Sequence, residues 1–171
     1  VFATVEARQR DTLSIKKAQR ATLTGNAMAH RIDFESLFSL EGRIALISGA
    51  SSGLGEHFAQ VLSGAGAHVV VSARRADRLT SLVQMLRDQG GKAHAITMDV
   101  TSRESVRDAF EAFDAQFTQL NILVNNAGIA NPPLRFVDAT EDDWGPVLDV
   151  NLTGAWRCLL YTSPSPRDLA V

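Results

Sequence analysis

The stretch Ile44-Ala45-Leu46-Ile47-Ser48-Gly49-Ala50-Ser51-Ser52-Gly53-Leu54-Gly55 decides the fold. Four apolar residues, too short a run for a helix, lead into glycines at 49, 53 and 55, and an amphipathic pattern starts directly behind them. That order predicts strand, tight turn and helix. Glycine lets the turn take positive φ and lets backbone approach a ligand closely, while the first N–H groups of the helix lack intrahelical partners and point at whatever lies there. Phosphate is the ligand such a place favours. Taken alone, the turn also fits a plain tight connection. Its spacing differs from G-x-G-x-x-G, and Glu56-His57 stand where a P-loop needs Lys followed by Ser or Thr, which disfavours nucleotide hydrolysis.

Outward from this turn the chain alternates strand and helix, which predicts an α/β fold: a doubly wound parallel sheet with helices on both faces. Leu54, Phe58, Val61, Leu62 and Ala65 recur at helical spacing and predict the buried stripe of the first helix, with His57 packed beside it and Gly64 and Gly66 at its end. Residues 68–72 read as the second strand. Leu79, Leu82, Val83 and Leu86 form the next helical stripe, stopped by Gly90-Gly91, and residues 93–98 form the third strand, running into Asp99-Val100. Thr101-x-x-Glu104 has the form of a capping box for a helix lined by Val106, Ala109, Phe110, Phe113 and Phe117. Residues 120–124 are expected to be the fourth strand, Asn125-Asn126-Ala127-Gly128 its exit loop, and Thr140 the cap of a helix through Trp144, Val147, Leu148 and Asn151.

At 171 residues, 45% apolar and 21% charged, with a formal charge of -2, the chain is of one-domain size and has enough apolar residues for a real core. That balance does not suggest nucleic acid, and no apolar run approaches the roughly 20 residues of a membrane span, so neither is an expected partner. A single cysteine, Cys158, cannot form an internal disulfide. Residues 1–27 differ from the rest, with Arg8, Arg10, Lys16, Lys17 and Arg20 and no sustained apolar stripe, and predict a disordered leader. Untranslated sequence read in frame ahead of a true start at Met28 is the favoured reading, with a cytoplasmic protein behind it. An organelle transit peptide is the alternative.

In such sheets ligands bind outside the carboxyl ends of the strands, where the strand order reverses. The motifs at those ends are Ser48-Gly49-x-x-x-Gly53-x-Gly55, Asp99-Val100, Asn125-Asn126-Ala127-Gly128 and, further on, Asn151-Leu152-Thr153-Gly154. In this order and at these separations they closely resemble the short-chain dehydrogenase/reductase family, over about residues 40–157. The Ala73-Arg74-Arg75-Ala76-Asp77-Arg78-Leu79 segment is similar to its oxoacyl-reductase-like members. The resemblance implies a Rossmann-fold, NAD(P)-dependent oxidoreductase that moves a hydride between nicotinamide and a small carbonyl or alcohol substrate. It implies a cofactor site containing Gly49, Ser51, Ser52, Gly53, Leu54 and Gly55, with Asp99 and Val100 at the adenine and Asn125, Ala127 and Gly128 along the cofactor. Asn151 would hold a water that relays protons to the catalytic lysine, and a homo-oligomer would pair through the Asn151 helix. No metal is implied. Asn151 follows Val147 and Leu148 on what reads as the buried stripe, where an unpaired amide costs about 1–3 kcal/mol, so it needs a partner.

The end of the second strand sets the expected cofactor. About 20 residues past its glycine turn, an NAD site presents Asp or Glu to the ribose hydroxyls. Here the sequence reads Ser72-Ala73-Arg74-Arg75, with no carboxylate before Asp77. A guanidinium fork suits a ribose phosphate, so NADP is expected over NAD, with Arg74 and Arg75 as its ligands. Solvated helix-start arginines are the alternative. The family's catalytic serine and Tyr-x-x-x-Lys cannot be placed: Tyr161 is followed four residues on by Ser165, and the lysines are Lys16, Lys17 and Lys92. Residues 158–171 resemble no part of the family and can be encoded by a common transposase-based sequencing adapter followed by index bases. Residues 28–157 are therefore expected to be the N-terminal part of one NAD(P)-binding domain, inactive alone, with Asn131-Pro132-Pro133-Leu134 its expected contribution to the substrate pocket. A non-catalytic dinucleotide-binding or regulatory protein of the same fold is the alternative function. A methyltransferase shares the glycine-rich turn, but Asn125 to Gly128 and Asn151 argue against it.

Overall fold

The computed structural model describes residues 37–131 and 135–162, and the account below concerns the unit Phe38–Val171. The expectations for residues 1–36, for Pro132-Pro133-Leu134 and for everything past Thr162 lie outside the described residues.

Strands β1 (Ile44–Ser48), β2 (His68–Ala73), β3 (Lys92–Thr97) and β4 (Ile122–Val124) form one parallel sheet in the order β3-β2-β1-β4. Helices α1 (Gly53–Gly64), α2 (Ala76–Asp88) and α3 (Arg103–Asp114) make the crossovers. After β4 come a 3-10 turn (Phe136–Asp138), helix α4 (Glu141–Leu148), a π-helical turn (Asp149–Gly154) and helix α5 (Ala155–Thr162). The chain builds from β1 through β2 to β3, then returns to the far side of β1, so the strand order reverses between β1 and β4.

Both faces of the sheet are covered at its centre, which is why β1 and the middle of β2 read as apolar runs. Side chains alternate along each strand. Ala45, Ile47, Val69 and Val71 pack with Ala59 of α1 and with Leu79, Leu82, Val83 and Leu86 of α2. Leu46 and Val70 face the other way, into a core with Val106, Phe110 and Phe113 of α3 and Cys158 of α5. Asn121 extends the β1–β4 pairing by one step: its side-chain oxygen accepts from the Ile44 N–H at 2.8 Å and its own N–H donates to the Ile44 carbonyl at 3.0 Å.

Three expectations are corrected. The buried face of α1 is Gly55 and Ala59, with Leu62 partly buried beside them, whereas Leu54, Phe58, Val61 and His57 are exposed. The helix starts so close to the turn that small residues must face inward: a Cβ on Gly55 would stand 2.5 Å from both the Gly49 carbonyl oxygen and Asn126 Nδ2. The cap of α3 is Ser102, whose hydroxyl accepts from the Ser105 N–H at 3.2 Å. Thr101 turns its hydroxyl to Asp99 instead, and Glu104 is exposed. Thr140 does cap α4, in a reciprocal box with Asp143, but Trp144 is exposed and so is Asn151. The π-turn explains the last point, because its extra residue rotates the helix face: Asn151 leaves the stripe while Gly154 and Cys158 become buried.

Candidate functional site

The site grows from the reversal point between β1 and β4. Gly49 has φ +68°, and an added Cβ would stand 2.7 Å from Ala127 Cα and 2.9 Å from Ala127 N. Only glycine fits so close an approach of two loops. Ser48, buried just ahead of it, accepts from the N–H groups of Asn126 and Ala127, both at 3.1 Å, and donates to the Val124 carbonyl at 3.3 Å. The Asn126 amide donates to the carbonyls of Ser48 (3.0 Å) and Gly49 (3.2 Å). Asn126 is thus the pin between the glycine turn and the β4 exit loop. The sequence reading chose its neighbour Asn125, which is exposed, because no periodicity distinguishes the two amides until β4 is set beside β1.

These loops open a cleft of about 380 Å³ over the strand ends. Among the residues expected from sequence, Gly49, Ser51, Ser52, Leu54, Arg74, Arg75, Asp99, Val100, Ala127 and Gly128 line it together. Gly53, Gly55, Asn125 and Asn151 do not. Gly53 shapes the turn at φ +61°, and Gly55 lies beneath it against Gly49 and Asn126. Ala73, Met98, Thr101, Asn126, Ile129 and Val150 also line the cleft and were missed. Most of them are apolar neighbours of the motifs, and only the strand order brings them in.

At the β2 end, Arg75 Nη2 donates to the hydroxyls of Ser51 and Ser52, both at 2.9 Å, and Nε donates to Ser51 at 3.3 Å. The guanidinium therefore lies against the start of the glycine turn. Asp77 sits exposed in the first turn of α2 and is not among the lining residues. At the β3 end, Asp99 is held on both sides. Its N–H donates to Ser105 Oγ at 2.9 Å, and its Oδ1 accepts from the Thr101 N–H (3.0 Å) and hydroxyl (2.8 Å). Burial alone would raise its pKa. The two Thr101 bonds, with Arg74 and Arg157 nearby, outweigh that and hold the carboxyl below its ordinary value. Asp99 thus presents an ionised acceptor.

Asn151 lies just beyond the cleft, exposed rather than on a buried stripe, so burial imposes no partner on its amide, yet the amide is paired. Its Oδ1 accepts from the Ile129 N–H at 2.8 Å and its Nδ2 donates to the Ile129 carbonyl at 2.9 Å. No group of three or more His, Cys, Asp or Glu among the described residues could hold a metal ion, and no described helix is long and apolar enough to cross a membrane.

The donor set suits a dinucleotide: a glycine cradle with free helix N–H groups for phosphate, guanidinium groups at one wall, and a fixed carboxylate at the neighbouring strand end. A doubly wound parallel sheet with this site at its reversal point defines a dinucleotide-binding α/β domain. The short chain dehydrogenase family model matches residues 43–165, reaching past Arg157. The chain belongs to that family. It is 36% identical over 131 residues to the 3-oxoacyl-[acyl-carrier-protein] reductase FabG of Aquifex aeolicus, a match covering 76% of this chain and 51% of that protein. Among solved structures, a gluconate 5-dehydrogenase from Burkholderia cenocepacia in complex with NADP and tartrate superposes with a TM-score of 0.69 at 36% identity, covering 75% of this chain and 50% of that one. A 3-ketoacyl-(acyl-carrier-protein) reductase from Brucella melitensis complexed with NADH superposes with a TM-score of 0.66 at 33% identity, covering 71% and 49%. The chain spans about half the length of the relatives it matches.

Proposed function

We propose that this chain forms the cofactor-binding part of an NADP(H)-dependent oxidoreductase acting on a small carbonyl or alcohol. When bound, the dinucleotide would supply or take up the hydride. The protein residues bind and orient it. The Gly49 turn and the N-terminus of α1 would take the pyrophosphate, and Arg74 and Arg75 the ribose phosphate. Asp99 would accept from the adenine amino group, and Asn151 would hold the Ile129 loop and a proton-relaying water.

The observation that carries the NADP reading is the β2 end. Two arginines line the cleft there, one already donating to Ser51 and Ser52, and the nearest following carboxylate, Asp77, lies outside it. Relatives with NADP and with NADH both exist, so the choice rests on these side chains. Each charge-assisted hydrogen bond contributes about 1.5–3 kcal/mol, or about 10- to 100-fold in affinity.

The alternative is a non-catalytic dinucleotide-binding protein of the same fold. Tyr161, the one tyrosine of the sequence, stacks on Phe110 at 5.4 Å and is not among the residues that line the cleft. Calorimetry on the 171-residue chain should give NADPH binding at least about tenfold tighter than NADH, with no carbonyl reduction. Equal affinities would remove the NADP assignment, binding of neither would remove the dinucleotide reading, and turnover would place the proton donor elsewhere.

A further inference from the structure

Val100, in the cleft wall, is gripped twice from one side. Gly154, which closes the π-turn, packs so tightly that an added Cβ would stand 2.8 Å from Val100 Cγ2 and 2.9 Å from its Cβ. Arg157 Nη1 donates both to the Val100 carbonyl and to Asp149 Oδ1, each at 2.9 Å, and its side chain is only 17% exposed. Asp149 opens the π-turn and Gly154 closes it, so both ends of the turn are tied to the β3 exit loop. Asn151 lies inside that turn, bonded through both polar atoms of its amide to the Ile129 backbone.

We infer that Arg157 is a positioning residue: by fixing the Asp149–Gly154 turn to Val100, it sets the rotation at which Asn151 meets Ile129 and so couples the two ends of the cleft. A π-turn is a rare departure that persists only where its surroundings over-determine it. Without the tie, relaxation to α-helical winding would remove the extra residue from the turn and rotate Asn151 by about 100° away from Ile129. Asp149 and the Val100 carbonyl must both be met from one side, which a charged donor with several hydrogens can do and an apolar side chain cannot.

The coupling stands on the ligand-free geometry, and only its consequence for cofactor binding rests on the dinucleotide reading. Amide hydrogen exchange on the 171-residue chain tests it. Arg157→Met and Asn151→Ala should each speed exchange at Ile129 at least about tenfold, while the core amides of Val70 and Val71 keep their rates, and Arg157→Lys should recover most of the protection. Wild-type exchange at Ile129 in Arg157→Met overturns the inference. Equal acceleration at Ile129 and Val70 also overturns it, since that would mean only a weaker fold. Should Arg157→Met fail to fold, Asp149→Ala removes the same ion pair from its more exposed end and must speed Ile129 likewise, and unchanged exchange there overturns the proposal. NADPH calorimetry on the same proteins separates the two readings: no binding to the unsubstituted chain counts against the dinucleotide site, while the exchange rates still decide the coupling.

Discussion

Gly49 and Gly53 both sit at positive φ in the same turn, at +68° and +61°, but for different reasons. Nothing lies within 4 Å of a Cβ added at Gly53, so Gly53→Ala should cost only the left-handed backbone penalty of about 1–2 kcal/mol. Gly49→Ala adds a collision with the backbone of Ala127, and backbone in a pinned loop cannot step aside. A further overpacking cost of about 1–3 kcal/mol is expected, and urea unfolding of the two variants measures the difference. Equal losses would mean that the two loops are not clamped at Gly49. The same scale holds the cofactor test. Arg74 lines the cleft and lies in the field of Asp99, whereas Arg75 is already engaged by the serines. Arg74→Ala should therefore weaken NADPH binding about tenfold and leave NADH nearly unchanged, and equal losses would assign Arg74 to structure or to a shared phosphate. The position of both arginines at the cleft could be read from the sequence, because the end of β2 and the lack of a carboxylate there are one-dimensional facts. Asn126 was not, because its role exists only once two strands far apart in sequence are neighbours.

At the scale of elements, strands were easier to read than helix faces. Val69-Val70-Val71 is wholly buried and announces a covered strand by composition alone. For α1, two stripes share the helical period, and the choice of Gly55 and Ala59 over Leu54, Phe58 and Val61 depends on how closely the helix approaches the sheet. The π-turn was equally invisible, since its end residues Asp149 and Gly154 meet Arg157 and Val100, and only the fold brings Val100 beside them. An aromatic cluster of β2, β3 and the segment after α3 also emerged only in three dimensions. His68 meets Phe117 edge-on at 4.9 Å, and His94 meets the same ring at 5.7 Å. Burial, then His94, Lys92 and Arg87, lower the His68 pKa from its ordinary 6.5. The unfolded chain therefore takes up this proton at higher pH than the folded one, so the His68 contribution is complete above about pH 6.5 and is lost as pH falls through the lowered folded value. Urea midpoints measured between about pH 7.5 and 5 should fall with pH. His68→Phe, which keeps the ring contact without the titration, should flatten that slope, and an unchanged slope would assign it to other groups.

On the scale of the whole molecule, the sheet is closed over its centre and open at two helical surfaces. Leu54, Phe58 and Val61 stand exposed on α1, and Leu152, Trp156 and Leu160 on the π-turn and α5. These side chains leave apolar surface uncovered on both elements, and the chain spans about half the length of its relatives. The inner side of α5 is another matter. Cys158 is fully buried in the α3-side core, its thiol pushed up to about 11 by burial, and Tyr161 stacks on Phe110. The sequence reading placed the end of the family resemblance at Arg157, before both residues, yet the helix carries Cys158 into a core that Phe110 and Phe113 already form and lays the more exposed Tyr161 on Phe110. Ending the chain at Arg157 would expose the Phe110 face and leave a hollow where the thiol sat. Burial of a small apolar group and an aromatic pair together contribute about 2–4 kcal/mol, a large share of the roughly 5–15 kcal/mol that holds a domain folded. The shortened chain should therefore unfold at a urea concentration lower by about 1 M or more than the 171-residue chain. Coincident unfolding curves would mean that residues 158–162 rest on the core without stabilising it.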